Sequence, residues 1–386
     1  MEEYEMTKGL VTGGSGFIGS YTVDLLINEG YDATVSDNNE RKVRANGIPR
    51  YVNQNAKYID RHIRFTKHWS KALNCCKYVI HLAISVGVSQ RFWQSRKYMS
   101  VSTLSTASLY DVLIHNKSVS KKIKKIVVAS SKSIYGEGSH KSETHGEVFP
   151  HPRDIDQLVK KVWDVQCPIS RNKVSPVGIK EEKPPQNLSP YALSKYDSER
   201  IAVDYSSLPS RLTFAFRYFN AYGPRQTMSN PYTGIMSIFL SRLKNKKPLI
   251  VFEDGKQLGD FIYVEDIATF NVKVLERGKR VFNLGIGRTT SLLGIIQMLS
   301  SLTGSNVSPK IIGEYRVGDI RHDYAAISNL ESTFGSYAFT PLNTVLDELV
   351  KWSANEIAMD KVDKTEIERK KYLATDGIKE QIKGFK

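Results

Sequence analysis

A glycine-rich turn near the start of the chain limits the possible folds more than any other feature. The apolar run Leu10-Val11-Thr12 leads directly into Gly13-Gly14-Ser15-Gly16-Phe17-Ile18-Gly19, and a stretch compatible with a helix follows. Glycine lets the backbone bend sharply and approach a phosphate closely, while the helix start offers free N–H groups and the positive end of its dipole. The pattern predicts a strand, a turn and a helix that bind a pyrophosphate.

An acidic residue follows the next predicted strand. Asp37 comes directly after Thr34-Val35-Ser36, about 20 residues beyond the glycines, as is typical of dinucleotide-binding units. A carboxylate at this place accepts hydrogen bonds from a ribose diol and repels a 2′-phosphate. We therefore expect NAD, rather than NADP, as the cofactor.

The first half of the chain alternates short apolar runs with helical stretches, which is typical of a parallel sheet with crossover helices. The fold class predicted is α/β: a Rossmann-type doubly wound parallel sheet with a smaller α/β substrate-binding lobe. The predicted strands are Gly9 to Thr12, Ala33 to Ser36, Tyr78 to Leu82, Ile126 to Ser130 and Leu212 to Phe216, with a helix from about Tyr191 to Tyr205.

The second half has mixed periodicity and is expected to build the smaller lobe. Its predicted elements are a helix near Ile235 to Lys244, strands at Leu249 to Phe252 and Phe261 to Val264, and a helix from about Ser291 to Leu302. We assign residues 7–220 to the NAD-binding domain, which contains an insertion at about 139–178. The chain returns to this domain at residues 259–287. Residues 221–258 and 288–354 form the lobe, and 355–386 a charged tail, either a surface helix or a frayed end.

Composition indicates a cytoplasmic protein. No run approaches the ~20 apolar residues of a membrane-spanning helix, the first five residues are acidic where a signal peptide is basic, and three irregularly spaced cysteines imply no disulfide framework. The formal net charge is +15. Because the lysine clusters at 121–125 and 244–247 are not interleaved with aromatic residues, we assign the charge mainly to solvated surface, partly to attraction of a phosphorylated ligand, and little to nucleic acid.

A Tyr-x-x-x-Lys pair occurs in Ser189-Pro190-Tyr191-Ala192-Leu193-Ser194-Lys195. The four-residue step places Tyr191 and Lys195 on one face of a helix, and the proline favours a helix start just before them. The ammonium is expected to favour the phenolate and so to lower the tyrosine pKa, which is about 10 when unperturbed. A second match, Tyr4 and Lys8, precedes the first strand and is attributed to chance.

Further motifs continue in order to about Trp352. With the glycine turn and the Tyr191–Lys195 pair, they resemble the nucleotide-sugar epimerase/dehydratase branch of the extended short-chain dehydrogenases. The resemblance implies an NAD-dependent, UDP-glucose 4-epimerase-like homodimer that epimerises a nucleotide-diphosphate sugar at C4. The motifs are His81-Leu82-Ala83, Ser130-Ser131-Lys132-Ser133-Ile134-Tyr135-Gly136, Arg217-Tyr218-Phe219-Asn220-Ala221-Tyr222-Gly223-Pro224-Arg225 and Asp260-Phe261-Ile262-Tyr263-Val264-Glu265-Asp266.

The resemblance also implies roles for particular residues. Ser131 hydrogen-bonds the sugar oxygen being oxidised, Tyr191 is the base, and Lys195 holds the nicotinamide ribose. The implied substrate ligands are Ser131, Asn220 at the diphosphate, Arg225 and Arg321. The implied cofactor ligands are Gly13, Gly16, Phe17, Ile18, Gly19, Asp37, Asn38, Leu82, Ala83, Tyr191 and Lys195.

The implied mechanism is a hydride round trip. Tyr191 removes the proton of the sugar 4-hydroxyl while C4 gives hydride to NAD⁺, the 4-ketosugar turns over, and hydride returns to its other face. NAD is then a tightly held cofactor with no net redox change. Sugar 4,6-dehydratases carry Asp-Glu directly after the catalytic Ser or Thr, whereas Lys132 and Ser133 stand here, so dehydration is not expected.

Three other positions depart from the family pattern. His62 or a neighbour stands where an acid usually helps to hold adenine, and Ser102 replaces an Asn on the helix after His81. Gly259 replaces an Arg that contacts the diphosphate, which leaves Arg321 as the expected remaining contact.

The insertion resembles that of sugar 4-epimerases of the dTDP-L-rhamnose 4-epimerase type, where Cys-x-x-His and Cys-x-x-Cys form a plausible zinc knuckle. This chain has Ser142 and Ser170 at two of the four places, which leaves His145 and Cys167. A closed structural zinc site needs four ligands, so we expect no metal. The loop is expected to be held instead by the packing of Val148, Phe149, Val162 and Trp163.

Two other functions remain open at this stage. The same Ser-Tyr-Lys trio would serve a net oxidoreductase that acts on a sugar or another secondary alcohol and releases NADH. A non-catalytic regulator that binds NAD or a nucleotide sugar is the second alternative. Neither His81 nor Tyr135 is assigned to catalysis: His81 is expected to be a structural imidazole, and Tyr135 a packing residue or part of the cofactor pocket wall.

Overall fold

The computed structural model describes residues 7–40, 48–84, 94–205, 212–229, 234–276, 280–360, 362–363 and 367. The helices are α1 (Phe17–Asn28), α2 (Thr66–Ala72), α3 (Ser95–Tyr98), α4 (Leu104–His115), α5 (Lys117–Ser120), α6 (Ile155–Val159), α7 (Pro190–Tyr205), α8 (Ile235–Lys244), α9 (Val264–Lys273), α10 (Leu292–Thr303), α11 (Ser328–Phe334) and α12 (Leu342–Ala354). A π-helical turn spans Met99–Thr103, and 3-10 turns span Lys132–Tyr135 and Val274–Glu276. None of the helices in these ranges has the length and apolar character needed to cross a membrane.

The strands are β1 (Lys8–Thr12), β2 (Asp32–Asp37), β3 (Lys57–Asp60), β4 (Tyr78–His81), β5 (Lys125–Ser131), β6 (Ser139–Ser142), β7 (Gly146–Val148), β8 (Ser175–Val177), β9 (Leu212–Tyr218), β10 (Asn220–Tyr222), β11 (Leu249–Val251), β12 (Leu258–Gly259), β13 (Phe261–Tyr263), β14 (Arg280–Leu284), β15 (Thr290–Ser291), β16 (Pro309–Ile311) and β17 (His322–Asp323).

Seven of these strands form one parallel sheet in the order β14-β9-β5-β4-β1-β2-β3. The chain begins at β1, runs outward to β3, and then returns past β1 to build the other half from β4. Connections therefore diverge between β1 and β4, which is the switch point where open α/β sheets bind ligands beyond the carboxyl ends of their strands. The predicted doubly wound sheet is confirmed.

Helices cover both faces of this sheet. Val11 and Ile80 belong to an apolar cluster with α1 and α9, whereas their neighbours Leu10 and Val79 belong to a second cluster with α2, α4 and α7. Successive residues of the central strands thus bury opposite faces, which is why strands such as β4 and β5 carry apolar residues in succession instead of alternating.

A second core lies in the part of the chain that follows the sheet. Helices α8, α10 and α12 pack around β11 through buried side chains such as Phe239, Ile295 and Leu346, and Tyr21 of α1 joins them. Helix α8 has the predicted bounds, and the bounds of β11, β13 and α10 differ from the predicted ones by one residue. The domain boundaries proposed above remain a prediction.

The insertion is more regular than its sequence indicates. Strand β6 pairs antiparallel with β7 and β8. Phe149 and Val162 are 36% and 41% exposed, so the prediction that they hold the loop is wrong. Val148 is buried, as predicted, in a small core that it forms with Val165, Cys167 and Val174.

Most lysines of the two clusters are exposed, as predicted, namely Lys121, Lys122, Lys124, Lys244 and Lys246, but some of them also have contacts within the protein. Lys125 is buried and donates to the carbonyl oxygen of Val274 at 2.9 Å. Lys244 donates to the carbonyl oxygens of Ser353 and Ala354, and Lys247 lies 2.9 Å from a carboxylate oxygen of Asp360. These contacts fasten the beginning of the charged tail to α8. Of the predicted tail, residues 361, 364–366 and 368–386 lie outside the described residues.

Candidate active site

A cleft of about 700 Å³ opens beyond the carboxyl ends of the central strands. It is lined by residues that directly follow β1 and β4, by the end of β5, and by the first turn of α7. The fold brings together all of the residues predicted to bind cofactor, together with Ser131, Asn220 and Arg225. Arg321 is the one predicted site residue that does not line the cleft.

The turn after β1 requires glycine at two positions. Gly13 has a φ of +71°, and a Cβ on it would lie 2.9 Å from the backbone of Ala83. A Cβ on Gly19 would lie 2.1 Å from the carbonyl oxygen of Gly13, so the first turn of α1 rests directly on the loop. Helix α1 begins without a side-chain cap, which leaves its first N–H groups to a ligand. The turn has the close approach and the donors that a pyrophosphate needs.

The carboxylate of Asp37 is held beside this turn. Its oxygens accept hydrogen bonds from the backbone amides of Ser15, at 3.2 Å, and Asn39, at 2.9 Å. A carboxylate has about four lone-pair sites, so these bonds are compatible with further contacts to a ribose diol. The hydroxyl of Ser15 is buried and has no hydrogen-bond partner among the described residues. Ser15 does not line the cleft, so the donors that the turn presents to a phosphate are its backbone N–H groups.

Ser131 ends β5 and precedes the 3-10 turn. Its Oγ accepts hydrogen bonds from the amide of Ser133 at 3.1 Å and from the hydroxyl of Ser133 at 2.9 Å. With both acceptor positions used, Ser131 interacts further through its hydroxyl proton, which can be donated to Tyr191 or to a ligand in the cleft. Tyr191 also lines this part of the cleft, and its ring packs edge-to-face on buried Tyr98 with centroids 5.8 Å apart.

Tyr191 and Lys195 share one helix, as predicted, but the predicted effect on the phenol is wrong. Burial raises the pKa of Tyr191, and its hydrogen bond with Ser131 acts in the opposite direction. The Lys195 ammonium donates to the carbonyl oxygen of Ala129. Burial lowers the pKa of Lys195 to about 7, with the charge of Glu199 acting in the opposite direction. A lysine this close to neutrality gives limited support to a phenolate.

A buried ion pair that sequence analysis missed positions the helix of Tyr191. Glu199 of α7 accepts from the Arg217 guanidinium at 2.6 and 3.0 Å, and from the Ser130 hydroxyl at 2.6 Å. Arg217 lies on β9 and Ser130 on β5, so the pair ties α7 to two sheet strands. Glu199 follows Lys195 by one helical turn, a spacing that points to the same face.

Another part of the cleft wall is charged. Lys132 forms an ion pair with Asp323, and Asp323 accepts a hydrogen bond from the Asn220 side-chain amide at 3.2 Å. The same amide nitrogen donates to the carbonyl oxygen of Asp260 at 2.8 Å. Both of its hydrogens are thus bonded within the protein, which leaves the amide oxygen, an acceptor, for a ligand. This arrangement suits a sugar hydroxyl better than the diphosphate predicted for Asn220.

The prediction that Arg321 binds the diphosphate is wrong, because its guanidinium is engaged elsewhere. The residue is 1% exposed. Its nitrogens bond carboxylate oxygens of Asp164 at 2.9 Å, Glu253 at 3.1 Å and Asp254 at 2.6 Å. Asp164 belongs to the insertion, so Arg321 fastens the insertion to the segment after β11.

Two other arginines do line the cleft. Arg225 does so as predicted, but its guanidinium pairs with Asp24 at 2.7 Å and lies 4.1 Å from the centre of the Tyr21 ring. Sequence analysis missed Arg316, which lines the cleft 3.8 Å from the centre of the Phe252 ring. Arg316 and Arg321 occur in one short loop, and nothing in the local sequence indicates which of them faces the cleft.

The insertion also supports this loop. Arg153 pairs with Glu253 at 2.9 Å and donates to the carbonyl oxygen of Asp319 at 2.9 Å. Asp319 lines the cleft together with Arg316. The insertion therefore reaches the active site through the loop before β17, although its own strands lie outside the cleft.

The three departures from the family pattern have different surroundings. His62 lines the cleft, and its Nδ1 accepts from the Arg64 guanidinium at 3.2 Å. Ser102 is buried in the π-helical turn, and its hydroxyl has no partner among the described residues. Gly259 lines the cleft, where a Cβ would lie 3.1 Å from the Asn220 amide nitrogen. A larger residue at 259 would press against Asn220.

The residues expected to be structural have structural contacts. His81 Nδ1 lies 2.8 Å from the Thr12 hydroxyl and its Nε2 lies 3.2 Å from the Thr106 hydroxyl, while burial lowers its pKa to about 3. Tyr135 is buried and donates to the Asn283 side-chain oxygen at 2.6 Å. Both residues are therefore assigned to packing.

The fold brings the remaining knuckle positions of the insertion together. His145 Nδ1 lies 3.7 Å from the Cys167 sulfur and 3.4 Å from the Ser142 hydroxyl. Over the described ranges, no group of three or more His, Cys, Asp or Glu side chains is arranged to hold a metal. The absence of zinc remains a prediction.

Family comparison accounts for this set of residues. The model of the NAD dependent epimerase/dehydratase family matches residues 9–155 and 170–285, which include the glycine turn, Ser131, Tyr191 and Lys195. The chain belongs to this family. The glycine turn and Asp37 fit the family's cofactor, and NAD is the cofactor of this protein.

Individual relatives match over nearly the full chain. A dTDP-L-rhamnose 4-epimerase of Burkholderia thailandensis is 28% identical over 91% of this chain and 96% of its own. The UDP-glucose 4-epimerase of Thermotoga maritima, solved with UDP-glucose, is 25% identical, covers 90% of this chain and 98% of its own, and superposes with a TM-score of 0.73. A UDP-glucuronic acid 4-epimerase of Bacillus cereus, solved with UDP-glucuronic acid and NAD, is 25% identical over 90% and 99%, with a TM-score of 0.72.

Proposed function

We propose that this protein epimerises a nucleotide-diphosphate sugar at C4 by way of a transient 4-ketosugar. One observation carries the proposal: Ser131, Tyr191 and Lys195 line the same cleft as the glycine turn and Asp37. A hydroxyl, a phenol and an ammonium beside a dinucleotide site are the groups needed to oxidise a secondary alcohol. The 4-epimerases named above support C4 as the carbon and a nucleotide sugar as the substrate.

The proposed proton path runs through Ser131 and Tyr191. The Tyr191 phenolate accepts the proton of the 4-hydroxyl, and the Ser131 hydroxyl, whose acceptor positions are filled by Ser133, donates to the substrate oxygen. When bound at the glycine turn and Asp37, NAD would supply the acceptor and the donor of the C4 hydride. Tyr191 then gives the proton back, so neither redox state nor proton count changes over the cycle.

Lys195 is proposed to hold the cofactor ribose and to support the phenolate of Tyr191. Its pKa of about 7 means that its charge depends on what surrounds it. Glu199 favours the ammonium, and the ion pair of Glu199 with Arg217 holds that carboxylate one turn away. We infer that this anchor sets both the position and the charge of Lys195.

Arg316 is proposed to contact the substrate diphosphate in place of Arg321. It is a cation on the cleft wall, beside the aromatic ring of Phe252. A guanidinium in such a place can bind phosphate oxygens in a bidentate manner. Its loop is supported by Arg153 of the insertion, which gives the insertion a role in substrate binding.

A panel of UDP-, dTDP- and GDP-sugars incubated with the purified protein tests the proposed function. We expect a C4 epimer of at least one sugar by NMR, with no accumulation of NADH. Stoichiometric NADH with a ketosugar product would favour the net oxidoreductase instead. Bound NAD without turnover of any sugar would favour the non-catalytic regulator.

We further propose a cytoplasmic homodimer. Helices α4 and α7 are neighbours, and each leaves a leucine exposed, Leu104 by 49% and Leu193 by 41%. Apolar residues on adjacent helices support a shared interface between two copies. Light scattering should give twice the mass of the chain, and Leu193→Glu should give a monomer.

The proposed cytoplasmic location is supported by the three cysteines, which are free thiols and therefore fit a reducing compartment.

A further inference from the structure

The ion pair of Lys132 with Asp323 lies beside the catalytic serine. Lys132 is the residue directly after Ser131, and both residues of the pair line the cleft. Their side chains are only 19% and 10% exposed, so the pair is mostly shielded from solvent. A sugar whose 4-hydroxyl contacts Ser131 would lie within reach of this pair.

The surroundings of the pair fix its orientation. Asp323 accepts from Asn220, which is itself bonded to the Asp260 backbone, and the amide of Asp260 donates to the carbonyl oxygen of Asp323 at 3.0 Å. Gly259 faces Asp323 in the strand register and places no side chain there. The contacts with Asn220 and Asp260 thus fix the position of Asp323 from one side. On the side of the cleft, its carboxylate contacts Lys132 and can contact the substrate.

The charge of this wall limits the sugars that it accepts. An ammonium alone would attract a carboxylated sugar, and a carboxylate alone would repel it. Together the two groups are neutral, yet they offer N–H donors and carboxylate acceptor sites at the same place. Vicinal hydroxyls of a neutral sugar match such a donor and acceptor, whereas a sugar carboxylate would have to displace Asp323 from its partner.

We propose, building on the proposed 4-epimerase function, that the Lys132–Asp323 pair determines sugar specificity by contacting hydroxyl groups and selecting a neutral sugar over a uronic acid. The pair acts on binding, and Ser131 and Tyr191 carry the chemistry. Removing one partner should therefore change selectivity in a direction set by the charge that remains.

The test compares UDP-glucose with UDP-glucuronic acid as probes, by calorimetric Kd on the NAD-loaded protein and by kcat/KM where turnover occurs. We expect the wild type to bind UDP-glucose roughly 10- to 100-fold more tightly, the range of a charged hydrogen bond. Asp323→Asn leaves the ammonium unpaired, so this preference should fall about tenfold or more. Lys132→Gln leaves the carboxylate, so the preference should rise while both sugars bind more weakly.

Asp347→Asn provides the matched control, because it removes a carboxylate from an exposed pair with Lys351 on α12. Its preference should equal that of the wild type. Equal wild-type affinity for the two sugars, or the same preference in Asp323→Asn and Lys132→Gln, would overturn the specificity role. A wild type that shows the expected preference but epimerises no sugar of the UDP-, dTDP- and GDP-sugar panel would instead contradict the proposed function.

Discussion

The two walls of the cleft are built in different ways. The cofactor wall comes from consecutive residues, since the turn from Gly13 to Gly19 and the acid at Asp37 belong to one β1–α1–β2 unit, and much of its chemistry is backbone. The substrate wall is assembled from residues far apart in the chain, including Lys132, Asn220 and Asp323, and its chemistry lies in charged side chains paired with each other.

This difference shows what makes a binding residue recognisable. A binding site made of backbone groups requires glycine at fixed spacings, so the site can be recognised from the sequence alone. A side-chain site depends on which charged groups face the cleft after folding, and tertiary packing decides this. Arg316 and Arg321 belong to one loop, yet Arg316 lines the cleft and Arg321 is enclosed by three carboxylates.

The largest effect is expected at Tyr191, where the two walls meet. Tyr191→Phe removes the phenol oxygen that accepts the proton but keeps the ring that packs on Tyr98. We expect kcat to fall by about 10³-fold, within the range of general acid/base catalysis, with NAD still bound. Turnover assays and the NAD absorbance of the purified variant measure both. A variant that keeps more than a few per cent of the wild-type rate would remove Tyr191 from this role.

The next prediction compares substitutions of Arg316 and Arg321, which should change different properties of the protein. Arg321→Met leaves Asp254 without its arginine partner and Glu253 with Arg153 alone, so we expect a loss of about 3 kcal/mol in the free energy of unfolding. Arg316→Met should lower the free energy of unfolding less, and should raise the KM for the nucleotide sugar about tenfold or more. Denaturant melts and steady-state kinetics on both variants check this. The reverse assignment of the two effects would show that Arg321 is the substrate ligand.

A smaller effect is expected on the cofactor wall. Asp37→Ala removes the acceptor for the ribose diol, so NAD affinity should fall by about tenfold and discrimination against NADP should decrease. Asp60→Ala is the matched control, because Asp60 pairs with Asp37 in the strand register but does not line the cleft. Fluorescence titrations with both nucleotides measure the affinities. Unchanged affinity for both nucleotides in Asp37→Ala would mean that Asp37 does not contact the ribose.

The smallest effect is expected in the insertion, which acts on the cleft from a distance. Elemental analysis should find no stoichiometric zinc, because two of the four knuckle positions are the neutral hydroxyls of Ser142 and Ser170. Cys167→Ser should lower stability by about 1 kcal/mol through its buried site, and exposed Cys75→Ser should not. One zinc per chain that disappears in Cys167→Ser would mean that other ligands, such as His140 or His151, complete a metal site.

Much of the fold could be predicted from sequence pattern, because the central strands carry runs of apolar residues and the glycine turn marks the first strand and helix. Three features could not be predicted for physical reasons. The raised pKa of Tyr191 depends on burial by tertiary packing. The partner of Lys132 lies 191 residues away, and long-range contacts such as the pairing of β12 with β17 bring it there. The insertion core uses Val165 and Val174, which lie in a stretch without periodicity.

The hydride round trip at C4 is the central claim, and the fate of the C4 hydrogen tests it most directly. The substrate identified by the sugar panel would be prepared with deuterium at C4 and converted by the wild-type protein in ordinary water. A hydride held on the carbon of a nicotinamide would not exchange with water, so we expect the C4 epimer to retain its deuterium, with Tyr191→Phe giving no product. Loss of deuterium to solvent during epimerisation would contradict the account.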